Sequence, residues 1–152
     1  MTTEAHKAME ESRLLEAIEG FVQAIRSKDL DGVMSMYAKD VVWFDLMAPL
    51  QHEGADAYKK LWEQCFAAYR GPVSIEIRDL SISMGDGVAF SHSLNRMSGT
   101  FQDGQILDFW FRWTACFRKI DGRWTITHEH ISIPFDLETN KALWELKPQT
   151  IS

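Results

Sequence analysis

Cysteine is scarce in this chain. Only Cys65 and Cys116 occur among 152 residues, and they form neither a disulfide framework nor a metal knuckle. No apolar run approaches the roughly 18 residues needed to cross a bilayer. The opening Met-Thr-Thr-Glu-Ala-His lacks the charged-then-apolar layout of a signal peptide. Positive charge is also in short supply: 16 Lys and Arg against 22 Asp and Glu leave a formal −6. That balance argues against a nucleic-acid or anionic-membrane surface, which needs clustered cations. A nucleophilic serine elbow, a phosphate loop and a dinucleotide glycine pattern are missing too, and Gly85-Asp86-Gly87 reads as a turn. The expectation left by these absences is one soluble cytoplasmic domain over residues 1–152, with neither nucleic acid nor membrane as partner.

What is abundant is apolar and aromatic. The chain is 45% hydrophobic and 25% charged, enough to bury a core. Aromatics make up 12%, six of them tryptophan. Any single ring is first of all core filler, but so many bulky rings together also suit a cleft for a flat organic ligand.

Periodicity places these residues. Leu14, Leu15, Ile18, Phe21, Val22 and Ile25 recur at spacings of three and four, which predicts an amphipathic helix. A short helix follows from about Leu30 to Tyr37. Val41-Val42-Trp43-Phe44 is β-branched and aromatic, as a short buried strand should be. A third helix is expected from about Ala55 to Tyr69, presenting Tyr58, Leu61, Trp62, Cys65, Phe66 and Tyr69, and Gly71-Pro72 ends it. From Val73 to Ile133 the chain reads as strand, cut by Asp86-Gly87, Asp103-Gly104 and Asp121-Gly122. Asp-Gly between apolar strands signals a hairpin, since both residues tolerate positive φ. Apolar residues shift from odd positions (Val73, Ile75, Ile77) to even ones (Leu80, Ile82, Met84), which predicts a bulge near Asp79. Helices first and a bent antiparallel sheet second make an α+β fold.

At Asp29-Leu30-Asp31-Gly32, Tyr37-Ala38-Lys39-Asp40 and Asp45, the chain resembles ketosteroid isomerases of the nuclear-transport-factor-2-like superfamily. The run from Asp121 to Ser132, DGRWTITHEHIS, resembles SnoaL-like proteins and the association domain of calmodulin-dependent protein kinase. The resemblance implies a cone-shaped sheet packed on N-terminal helices, and it places Asp45 where the isomerases hold their proton-abstracting aspartate. It also puts Phe21 at the isomerases' first-helix tyrosine, and their second acid near Ala115, Thr114 or Cys116. Neither oxyanion donor is kept, so steroid isomerisation by that mechanism is not expected.

Asp45 follows four apolar residues and is the candidate catalytic base, the competing role being a loop cap or ion pair before Pro49. Around it the expected ligand-binding wall comprises Trp43, Tyr58, Trp62, Asn95, Trp113 and Glu129. His128 and His130 share a strand face. A metal pair would need further ligands that the sequence does not identify, so no metal or cofactor is expected. His92, Arg112, His128 and His130 make a second candidate group, as an acid–base site (Asp45 with a histidine, as in scytalone dehydratase of this superfamily) or as a dimer seam. Arg112 could clamp a ligand carboxylate or pair with Asp108 or Glu129. Which group faces the cone depends on the turn at Asp121-Gly122. A three-residue bulged loop, the preferred form, turns Trp113, Ala115, Thr127, Glu129 and Ile131 inward; a plain two-residue loop reverses that parity. The strand from 105 to 119 is apolar on both faces, so a second subunit should cover one of them. The expected function is a small-molecule-binding protein working as a cofactor-free isomerase, cyclase or dehydratase on a hydrophobic substrate. The alternative is a non-catalytic ligand-binding or assembly domain.

Overall fold

The computed structural model describes residues 3–149. Helix α1 (Thr3–Arg26) is long and buries Leu14, Ile18, Phe21, Val22 and Ile25 along one stripe. Asp29 ends the link to α2 (Leu30–Met34), its carboxylate accepting a hydrogen bond from the Gly32 N–H at 3.1 Å. Four or so unpaired N–H groups open any helix, and an Asp at this position satisfies one. Strand β1 (Tyr37–Phe44) follows, then the short β2 (His52–Glu53) and α3 (Ala55–Ala68). The long strands are β3 (Tyr69–Met84), β4 (Val88–Phe101), β5 (Ile106–Ile120) and β6 (Arg123–Ser132). A small hairpin, β7 (Phe135–Asp136) with β8 (Lys141–Ala142), closes the described chain.

Six strands form one curved sheet in the order β2-β1-β6-β5-β4-β3. The sheet is antiparallel except where β1 lies parallel to β6, with Trp43 opposite Glu129. That pair makes the sheet mixed rather than purely antiparallel. It brings the first strand beside the last, and α1 and α3 cover the concave face.

Two irregularities set the curvature and the faces. Asp79 takes φ +56° where the β3–β4 register shifts between Arg78 and Ser81, so β3 bends where the apolar parity flips. The β5–β6 turn has two residues, Ile120 pairing with Arg123, and both Asp121 (φ +52°) and Gly122 (φ +78°) are left-handed. The parity nonetheless changes further along, because Phe117 faces Ile126 while Cys116 faces His128. Thr127 is thus the extra residue of a bulge. The expected three-residue loop is replaced by a tight turn plus a bulge within the strand; Trp113, Ala115, Glu129 and Ile131 face inward as expected, but Thr127, expected with them, is taken up by the bulge and lies beside Cys116 and Phe90 instead. The physical reason is burial: without the bulge, the Glu129 face would rotate out as soon as Trp124 and Ile126 rotated in.

Glu10 fastens the outer half of α1 to the sheet. Its carboxylate, 5% exposed, accepts from Lys119 Nζ at 2.9 Å, from Arg13 at 3.0 Å and from the Trp124 indole N–H at 3.0 Å. The hydrogen bond and charge of Lys119 hold its pKa below the usual carboxylate value. No helix among the described residues is long and apolar enough to cross a membrane.

Candidate functional site

The concave face of the sheet and the two long helices line a half-open cavity of about 170 Å³. Helix α1 contributes Phe21 and Ile25, and α3 contributes Tyr58, Leu61, Trp62 and Cys65. The sheet supplies Ile75, Asn95, Met97, Phe109, Phe111, Trp113, Glu129 and Ile131, and Asp45 comes from the loop after β1. Each sheet residue is there through alternation: Phe109, Phe111 and Trp113 are every second residue of β5, all buried.

Glu129 is the most constrained group in this cavity. It is 3% exposed, and its Oε1 accepts from the Tyr37 hydroxyl at 2.7 Å and from the Tyr58 hydroxyl. Oε2 accepts from the Trp113 indole N–H at 2.8 Å. Burial pushes its pKa above the usual carboxylate range, against the opposing pull of these three donors, and the nearby charge of Asp45 adds to the rise. Both tyrosines are held well above their ordinary pKa by burial and then by the charge of Glu129, so they remain donors. The Cys65 thiol, also on the wall, is pushed up to about 11 by burial, which keeps it a neutral, poorly nucleophilic thiol at neutral pH.

Asp45 sits half-buried on the loop, its Oδ1 accepting from the Leu46 N–H at 2.6 Å. Asn95, 3% exposed, has its carbonyl oxygen bound by the Ser93 hydroxyl at 2.6 Å.

The structure brings together Asp45, Tyr58, Trp62, Asn95, Trp113 and Glu129 on one cavity wall. Trp43 is elsewhere: fully buried, it stacks on the back of Tyr58 (centroids 3.8 Å apart, 3° between planes) and on His52 (4.9 Å, 12°). It supports the wall rather than forming it. His92, Arg112 and His130 are exposed on the opposite, convex face, with His128 half-buried there. Across strands, Thr114 neighbours both His92 and His130. His128 Nδ1 lies 2.7 Å from the Val42 carbonyl, and Phe44 packs edge-on against both β6 histidines. Arg112 donates to the Ser132 hydroxyl at 2.9 Å rather than pairing with Asp108 or Glu129. Asp108 is held by Arg96. The histidines therefore cannot join Asp45 in the cavity of a single chain. Among the described residues no group of three His, Cys, Asp or Glu is placed to hold a metal ion.

Sequence reasoning missed two things here. Tyr37, at the start of β1, reaches Glu129 only because β1 runs beside β6, a long-range pairing with no local signal. Ala115, where the resemblance places the isomerases' second acid, is the direct cross-strand neighbour of Glu129. The buried carboxyl is present, one strand over.

The SnoaL-like domain family matches residues 14–136. The chain belongs to that family. Among solved structures, this SnoaL-like protein is similar to an NTF2-like protein of unknown function from Pseudomonas putida KT2440. The two share 38% identity over 93% of this chain and 98% of that one, with a TM-score of 0.83. More distant is a candidate scytalone dehydratase of Novosphingobium aromaticivorans, at 14% identity over 85% and 87% of the two chains and a TM-score of 0.77. A candidate dehydratase of the NTF2-like family from Streptomyces avermitilis has 14% identity over 82% and 95%, with a TM-score of 0.72. At that identity the last two speak for the fold alone. Comparison with curated proteins gives no match.

Proposed function

We propose that this SnoaL-like protein is a cofactor-free acid–base enzyme, an isomerase, cyclase or dehydratase, acting on a small hydrophobic molecule. The observation that carries the reading is a pair of carboxyls facing one aromatic cavity from unlike environments. Asp45 stands half-buried on a loop, whereas Glu129 is fully enclosed, without a cation on the cavity wall, and has a raised pKa. Two titratable groups whose surroundings differ in this way can divide the roles of acid and base. Asp45 takes the proton from substrate carbon. Glu129, whose Oε2 carries a single protein hydrogen bond and so has room for a proton, donates or polarises on the other side.

The same reading includes a homodimer through the convex face of the sheet. Phe90 is 53% and Val88 47% exposed there, close to the His92–Thr114–His130 row, and a second subunit would cover these apolar side chains.

A panel of one-ring enones and β-hydroxy ketones, followed for isomerisation or loss of water, tests the catalytic reading. Asp45→Asn should abolish turnover and leave the melting temperature within a few degrees. If the variant instead turns over at the wild-type rate, Asp45 is not the base; if it loses its fold, Asp45 is structural.

A further inference from the structure

The cavity also limits what the substrate can be. Its volume is about 170 Å³, and an apolar cavity of about 150 Å³ is enough for benzene. One ring with a small substituent fills that space. The charge on the wall is of one sign. Asp45 and Glu129 line the cavity, and none of the residues lining it is Lys, Arg or His. An anionic ligand would meet Asp45 with no cation to offset it, and a buried unpaired charge is costly.

Asn95 supplies the polar reading head. It is 3% exposed and lies on the cavity wall. Its carbonyl oxygen is already bound by Ser93, which fixes which end of the amide is left over. Among the described residues the amide nitrogen has no protein partner, yet it is not sealed from solvent-sized space. A group of this kind faces the cavity with two N–H donors unspent.

Resting on the acid–base reading of the same cavity, we propose that its substrate is a one-ring molecule without negative charge, bearing an oxygen that accepts a hydrogen bond from the Asn95 amide. Asn95, oriented by Ser93, is on this view the residue that determines specificity. It holds the carbonyl or hydroxyl oxygen in a set place relative to Asp45, and it discriminates against oxygen-free rings of the same size.

Calorimetric titration of the full chain with three probes of similar size tests this: acetophenone, ethylbenzene and benzoate. The wild-type protein should bind acetophenone at least about tenfold more tightly than benzoate. Asn95→Leu, close in volume, should move the acetophenone-to-ethylbenzene affinity ratio about 3- to 10-fold towards ethylbenzene, the range of one neutral hydrogen bond. Ser93→Ala, which frees the amide to rotate, should lose part of the same ratio and keeps the test open if Asn95→Leu fails to fold. The proposal is overturned if benzoate binds as tightly as acetophenone, if no one-ring probe binds, or if the foldable variants leave the ratio unchanged. Binding is read without turnover. A protein that shows the ratio but no chemistry contradicts only the acid–base reading, and one that turns over through Asp45 without the ratio contradicts only this one.

Discussion

A single buried residue, Glu129, concentrates the chemistry of the molecule, because three donors from three elements converge on one carboxyl. Replacing it with Ala strands Tyr37, Tyr58 and Trp113. With about 1–3 kcal/mol for each buried group left unsatisfied, Glu129→Ala should cost at least about 2 kcal/mol in a denaturant titration. The raised pKa has a signed consequence. A carboxyl that binds its proton more tightly when folded favours the folded state fully below its ordinary value of 4.5. That benefit is lost as pH rises from there through the raised folded value. Stability of the wild type should therefore fall relative to Glu129→Gln as pH climbs through that window. Parallel curves for the two proteins would mean that Glu129 titrates as an ordinary acid. Sequence alone singled out Glu129 as a wall residue, but could not show its hydroxyl partners. Tyr37 lies 92 residues away along the chain, and only the β1–β6 pairing closes that distance.

At the level of elements, the legible features were the local ones. Each Asp-Gly pair sits at a turn between the long strands, and the bend at Asp79 coincides with the flip in apolar parity. The Thr127 bulge was not legible, since a Thr in a strand that alternates on either side carries no mark of the extra residue. Glu10 was hidden for a different reason: it reads as one more solvated charge on a helix with many. Buried against Lys119 and Trp124, it is instead the clamp between α1 and the β5–β6 hairpin. Its lowered pKa gives the opposite sign to Glu129: the contribution is present above 4.5 and lost as pH falls through the lowered folded value. Glu10→Ala should raise amide hydrogen exchange in the first turns of α1 while the exchange of β4 and β5 stays unchanged. Equal protection along α1 in both proteins would show that apolar packing alone holds the helix.

For the whole molecule, the two faces of one sheet divide the work. The concave face carries the carboxyls and the aromatic wall; the convex face carries His92, Arg112, His128 and His130, the last two turned away from the cavity by the bulge at Thr127. If the convex face is a subunit seam, the protein should sediment as a dimer at micromolar concentration. His130→Ala should then weaken dimerisation more than ligand binding. A monomer at that concentration would leave Val88 and Phe90 without the cover assigned to them.

The central claim is that Asp45 moves a proton at carbon inside this cavity, with Glu129 assisting. Deuterium incorporation from D₂O into a bound one-ring ketone, followed by NMR, tests it without knowledge of the natural substrate. The account predicts exchange α to the carbonyl in the wild type, slower exchange in Glu129→Gln, and none above the uncatalysed background in Asp45→Asn that still binds the ketone. Exchange at the wild-type rate in Asp45→Asn, or none in a wild-type protein saturated with ketone, would contradict it.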